Sequence, residues 1–253
     1  CAMPAANASA ASAASAPTNR PPIPFIFARI ALAWNPITPP RGVPELVLNA
    51  VASYSARMTT EAEADRRGLP SGRHGLSREE AAEDQKRRLL QAMVECVAEK
   101  GYSATTVSDV IEAADVSRTT FYELFEDKED CFLQAYDAVF DVVLAYVAHA
   151  YTSHDGPWPE RVHAGLAALL DLLASEAAIA RMVMTEAVMA GKTARQRYRD
   201  AFLRFLPFLD EGRAHSEHSQ LLPAATSRLA VGAATTLIFD EVRAGRAEEL
   251  PKL

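Results

Sequence analysis

The sequence predicts an all-α protein, and three observations carry that expectation. Apolar residues recur at spacings of three and four from about residue 84 to residue 242, so that each run puts a stripe on one helical face. A Ser, Thr or Asp stands ahead of several of these runs, where its side-chain oxygen can accept from the amides that open a helix. No stretch alternates apolar and polar residues as a half-buried strand does, and no segment repeats at a fixed period.

The 253 residues suffice for one or two domains with a sizeable core, and 49% apolar with 23% charged content is ordinary for a soluble chain. Cys1, Cys96 and Cys131 are odd in number and lack metal-ligand spacing, which suits buried free thiols in a reducing cytoplasm. No apolar run reaches the roughly 18 residues of a membrane span. The longest, residues 23–34, is short and carries Arg29, so neither a membrane partner nor a signal peptide is expected.

Residues 1–76 read as a disordered head. Residues 2–17 are an Ala/Ser tract, and Pro recurs at 21, 22, 24, 36, 39, 40 and 44. Such a stretch cannot bury enough surface to offset the entropy of ordering it. Met58 opens a stretch of different character and is the expected natural start. Arg66, Arg67, Arg73, His74 and Arg78 then form a basic arm, either a solvated linker or a set of phosphate contacts.

The helices follow in order. Ser77 with Glu80 forms a capping box for a helix reaching Lys100, with Leu89, Leu90, Met93, Val94 and Val97 on its apolar stripe and Gly101 as its stop. Thr106 with Asp109 is a second capping box, followed by Val107, Val110 and Ile111 on one face. Ala113, Ala114 and Asp115 make a tight turn, Asp being one of the few side chains that tolerate the left-handed conformation. Ser117 caps the next helix, which buries Phe121, Leu124 and Phe125. Residues 106–125 are therefore a helix-turn-helix, whose second helix is the element that reads DNA in such motifs. Asp127 caps a long fourth helix with Phe132, Tyr136, Val139, Phe140, Val143, Leu144 and Val147 inward, to about Tyr151.

Beyond the break at Gly156-Pro157-Trp158-Pro159, the reading is helical again. One helix carries Val162, Leu166, Leu169, Leu170 and Leu173, and one covers 177–190. A third holds Tyr198, Phe202, Phe205, Leu206 and Leu209. The last begins with Pro223 in its first turn and continues through Leu229, Ala233, Leu237, Ile238 and Val242.

Residues 84–143 resemble the DNA-binding domain of the TetR family of bacterial transcription regulators. The likeness rests on Lys100-Gly101-Tyr102, Thr105-Thr106-Val107, Ala114-Asp115-Val116-Ser117, Thr120-Phe121-Tyr122, Phe125 and Lys128-Glu129-Asp130, in order and at the family's spacing. The family usually has Gly where Asp115 stands. The expected organisation is a head and arm over 1–76, a helix-turn-helix DNA-binding domain over 77–126, and a helical ligand-binding and dimerisation domain over 127–253.

Geometry and resemblance point to the same contact residues. With Phe121, Leu124 and Phe125 packed inward, Arg118, Thr119, Tyr122 and Glu123 lie outward. Arg118 can grip guanine O6 and N7 with both arms, worth about 1–3 kcal/mol against a wrong base, and Thr119 suits a thymine methyl or base edge. Thr120 and Tyr122 suit phosphates, while Thr106, Ser108 and Ser117 at helix starts and Lys128 at the fourth helix would anchor flanking phosphates. The resemblance further implies a homodimer formed by the last two helices, double-stranded operator DNA as partner, and a small-molecule inducer. Candidate pocket residues are Met182, Met184, Met189, Tyr198, Phe202 and Phe205, all of which equally suit plain core. The expected role is a repressor in the cytoplasm at the nucleoid, with no cofactor.

Charge argues the other way. Residues 77–152 hold seven basic and sixteen acidic side chains, and within 106–125 Asp109, Glu112, Asp115 and Glu123 face one base, Arg118. Much of the acid lies at helix starts (Glu79, Glu80, Glu83, Asp84, Asp127, Glu129, Asp130), where it complements the helix dipole. The alternative is a helical ligand-binding or interaction module that has lost DNA binding. An enzyme is not expected, because a phosphate loop, a nucleophile elbow and an HExxH motif are all missing from the sequence. His215 and His218, with Glu211 and Glu217, sit in a polar loop and read as solvated rather than metal-binding.

Overall fold

The computed structural model describes residues 78–215 and 221–253, with side chains for 81–212 and 221–253. The expected head, the arm over 66–78, the start at Met58, Ser77 of the first capping box, and Glu217 and His218 lie outside the described side chains. The described residues contain helices and turns and no strand.

Four helices build the N-terminal part: α1 (Arg78–Lys100), α2 (Val107–Ala114), α3 (Arg118–Leu124) and α4 (Lys128–Ser153). Leu89, Met93 and Val97 of α1, Val110 of α2, Phe121 of α3 and Phe132 of α4 are all fully buried, so the stripes read in the sequence meet in one core. α4 joins the two halves of the molecule. Near its start Phe132 packs on Tyr102 with ring centroids 4.6 Å apart. Two turns later Phe140 meets Phe202 at 5.2 Å. By length and composition α4 is the helix among the described residues apolar enough to cross a membrane. Phe132, Tyr136, Phe140 and Leu144 are instead consumed by the core.

The C-terminal half contains α5 (Trp158–Ser175), packed along α4. A sixth helix, α6, is composite: α-helical over Ala177–Arg181, π-helical over Met182–Glu186, and α-helical again over Ala187–Met189. The uniform helix expected over 177–190 is thus widened in its middle. Met182, Val183 and Met184 are all buried. Three successive residues cannot share one face of a helix, so α6 is enclosed by neighbours rather than amphipathic.

The helix expected around Tyr198 to Leu209 is two helices, α7 (Lys192–Leu203) and α8 (Leu206–His215). Pro207 supplies the reason. It has no N–H to give the carbonyl of Leu203 and its ring would strike it, so the helix restarts with Pro207 in its first turn. A second correction concerns Pro223. The last helix, α9 (Thr226–Arg243), begins three residues after it, and Thr226 donates both its N–H (3.1 Å) and its hydroxyl (2.8 Å) to the Pro223 carbonyl. Pro223 is a capping acceptor, outside the helix. The chain then folds back in a 3-10 turn, Ala247–Lys252, whose fully buried Leu250 helps it pack against α5.

Two polar clasps tie this half together. Trp158 donates its indole N–H to the Phe208 carbonyl at 2.8 Å while its ring lies on Gly212, where a Cβ would come within 2.1 Å of the indole. Glu211 bonds both Tyr151 and Arg161. Cys96 and Cys131 are buried free thiols, and burial pushes Cys131 up to about 12.

Candidate nucleic-acid interface

The interface begins with local capping. Thr106 accepts from the Asp109 amide at 3.2 Å while Asp109 accepts from the Thr106 amide at 2.7 Å, completing the capping box of α2. Lys100, at the end of α1, pairs with the other Asp109 oxygen at 2.7 Å. The Lys100 ammonium and the Thr106 donors hold the Asp109 carboxyl down to about 2.

Asp115 takes the left-handed conformation, φ 51° and ψ 51°. Its amide bonds Glu112 O, and the Val116 amide bonds Ile111 O, the paired closure of a Schellman end. Arg88, reaching from α1, donates to the Ala114 carbonyl at 2.9 Å. That contact spans 26 residues, and nothing in the local pattern around Arg88 announces it. Ser117 then caps α3 by accepting from the Thr120 amide at 3.0 Å, and the two hydroxyls lie 2.9 Å apart.

The turn angle brings the starts of α2 and α3 together. Arg118 Nη2 donates to Ser108 Oγ at 2.8 Å, across ten residues. Arg118, Ser108, Thr119 and Glu123 are exposed, and Tyr122 is 51% exposed with its ring edge-on to buried Phe121 at 5.3 Å. Thr106 and Ser117 are exposed as well, and Thr120 is half-buried. A shallow groove lined by Ser108, Ile111, Glu112, Asp115, Val116 and Ser117 runs beside this surface.

Lys128 differs from its expectation. Its ammonium donates to the carbonyls of Tyr102 (3.0 Å) and Thr105 (2.9 Å) and lies 4.1 Å from the Tyr102 ring centroid. Two of its three donors are spent on the turn between α1 and α2, so it braces that turn before it can serve a phosphate.

The candidate pocket residues separate into groups. Met182 and Met184 are fully buried in the π turn. Tyr198, Phe202 and Phe205 cluster with Phe140, the Tyr198–Phe202 and Phe140–Phe205 centroids lying 4.9 and 5.7 Å apart. Burial pushes Tyr198 up to about 12. Met189, by contrast, is 71% exposed at the last position of α6. It stands apart from the others. Tyr136, which the sequence reading treated as core, carries a buried hydroxyl with no hydrogen-bond partner among the described residues.

Residues 89–135 match the family model described as bacterial regulatory proteins, tetR family. An uncharacterized HTH-type transcriptional regulator, YhgD, of Bacillus subtilis is 32% identical over 91 residues, 35% of this chain and 46% of that protein. The transcriptional regulator AcuR of Cereibacter sphaeroides is 35% identical over 78 residues, 30% of this chain and 33% of that one. The matches therefore span less than half the length of these relatives. Among solved structures, the fatty acid degradation regulator FadR of Bacillus halodurans aligns with a TM-score of 0.56 at 20% identity, over 67% of this chain and 90% of its own. FadR of Bacillus subtilis, solved with stearoyl-CoA, gives 0.56 at 20% identity, over 66% and 92%. Residues 89–135 are thus similar in sequence to the DNA-binding part of tetR-family regulators, and the fold over about two thirds of the chain is that of these solved regulators.

Proposed function

We propose that the protein is a sequence-specific DNA-binding transcription regulator, acting as a homodimer that represses from a near-palindromic operator until a small molecule releases it. The observation that carries this reading is the Arg118–Ser108 contact, which sets the starts of α2 and α3 side by side on one exposed surface. That surface offers a guanidinium fork, the hydroxyls of Thr106, Ser108, Ser117, Thr119, Thr120 and Tyr122, and two helix N-termini, a set suited to one guanine and several phosphates.

Dimerisation is supported by α9. Leu229, Ala233 and Leu237 recur at spacings of four on its outer side, the leucines 68% and 56% exposed, while Ile238 and Val242 face the core. An exposed apolar stripe of this kind is a natural surface for a second copy. The inducer reading is supported by Tyr136, whose buried hydroxyl lacks a partner among the described residues and whose ring lies 6.0 Å from Phe140, which in turn meets Phe202 at 5.2 Å. A mostly apolar molecule bearing one hydrogen-bonding atom suits it. The stearoyl-CoA of the B. subtilis neighbour is a molecule with such an apolar part.

An electrophoretic shift with the DNA upstream of the protein's own gene, repeated across salt concentrations, tests the reading. The expected result is a shift whose affinity falls steeply with salt. Arg118→Ala weakens it roughly tenfold or more and relaxes preference at one base pair of the footprint. No salt-dependent shift with wild-type protein would leave a helical ligand-binding or interaction module as the function.

A further inference from the structure

The turn that delivers the chain to α2 is held from the C-terminal half by one ion pair on α6. Glu186 Oε2 accepts the Tyr102 backbone N–H at 2.8 Å, and its Oε1 accepts from Arg181 at 3.2 Å. Arg181 also donates to the Ala98 carbonyl, in the last turn of α1, at 3.0 Å. The Glu186 side chain is 14% exposed, so these bonds form in partly desolvated surroundings, where a charged acceptor counts for more. Gly101 lies beside it. Its φ of 80° favours glycine, while a Cβ there would meet Glu186 Oε2 at an ordinary 3.4 Å contact. From the other side Lys128 of α4 holds the carbonyls of Tyr102 and Thr105. The amide and the carbonyl of Tyr102 are therefore gripped by different helices, α6 of the C-terminal half and the start of α4.

Glu186 is the last residue of the π turn Met182–Glu186. A π turn accommodates one extra residue within the helix, so side chains after it are rotated by about 100° relative to an unbroken α-helix. The buried stretch Met182 to Met184 packs against α1, α4 and α9, so its state is read by the core and by the helix proposed for dimerisation.

We infer that Glu186 and Arg181 are positioning residues for DNA reading, and that the π turn aims Glu186. Together they fix the Gly101–Tyr102 turn, and with it the approach of α2 and α3, relative to the C-terminal half. This inference rests on the DNA-binding reading above. Relaxation of the π turn into α-helix would swing Glu186 off the Tyr102 amide and release the turn.

The test combines amide exchange on the full chain with the DNA shift, in wild type, Glu186→Ala, Glu186→Gln and Arg181→Ala. Glu186→Ala speeds exchange at the Tyr102 amide about tenfold or more, while Glu186→Gln, which keeps a neutral acceptor, speeds it less. Glu186→Ala and Arg181→Ala remove opposite charges, so a purely electrostatic effect would move affinity for the upstream DNA in opposite directions. A positioning role moves it the same way in both, with Glu186→Gln between Glu186→Ala and wild type. Opposite movements, or unchanged Tyr102 exchange in Glu186→Ala, overturn the inference. Should Glu186→Ala fail to fold, Arg181→Ala against Glu186→Gln carries the same comparison. If wild-type protein shifts no DNA, the functional reading fails, while the exchange data still decide whether the clasp exists.

Discussion

The Tyr136 hydroxyl lies fully buried in α4, its ring 6.0 Å from that of Phe140, with no hydrogen-bond partner among the described residues. Desolvation by this burial pushes its ionisation far above the ordinary tyrosine range. A buried, unsatisfied polar group costs roughly 1–3 kcal/mol. Tyr136→Phe should therefore stabilise the ligand-free protein by about 1 kcal/mol, a rise of about 2–4 °C in a thermal melt of a chain this size. The same substitution should weaken an inducer that bonds the hydroxyl. A melt lowered by several degrees would mean that the hydroxyl has a partner and that Tyr136 is ordinary core. Arg118 and Lys128 show how two cations in one motif diverge. Arg118 spends a single donor on Ser108, whereas Lys128 spends two on backbone carbonyls. The contacts of Lys128 serve the fold, and Arg118 is the proposed base contact.

The capping box of α2 makes the element's stability depend on pH. Asp109 titrates at about 2 in the folded chain, against roughly 3.9 unfolded. Its folded value is the lower, so it stabilises the protein above the unfolded value, and that contribution fades as pH falls through about 4 toward 2. Asp109→Asn should lower the urea midpoint near neutral pH, and the gap from wild type should close across that acid window. A gap that stays constant with pH would show that the Lys100 pairing does not hold Asp109 down. The caps also show what a sequence makes legible. Thr106–Asp109, Ser117–Thr120 and Asp127–Asp130 are all bonds across three residues, so the pattern and the structure are nearly the same fact. Asp115 is similar, its left-handed turn being set within one short segment. The Lys128 contacts lie 23 and 26 residues back along the chain and the Glu186 contact 84 residues away, so neither shows in a local pattern. The π turn leaves no signature in the apolar pattern of residues 177–190. Pro207 was visible in the sequence, and its lost N–H could have shown the break before α8.

At the scale of the molecule, DNA binding has to overcome the excess acid of residues 77–152. Asp109 is neutralised locally by Lys100, and Asp127 and Asp130 are engaged in capping, which leaves Glu112, Asp115 and Glu123 as exposed acid within residues 106–125. A monomer with one useful cation on its reading surface would hold DNA weakly. Two copies placing their α3 helices in successive major grooves, about 34–36 Å apart, double the contacts without changing either surface. The outer stripe of α9 is where that pairing is expected. Leu229 and Leu237 are exposed in the single chain, so a charge there should disturb the fold little, whereas in a dimer interface it would be buried without a partner. Leu237→Glu should therefore sediment at the 27.4 kDa chain mass, while wild type sediments at twice that value. Its circular dichroism should match wild type, and its affinity for the upstream DNA should fall by roughly tenfold to a thousandfold. A Leu237→Glu protein that remains dimeric would move the interface off this stripe. One that is monomeric yet binds DNA as tightly as wild type would show that the acidic reading domain works alone.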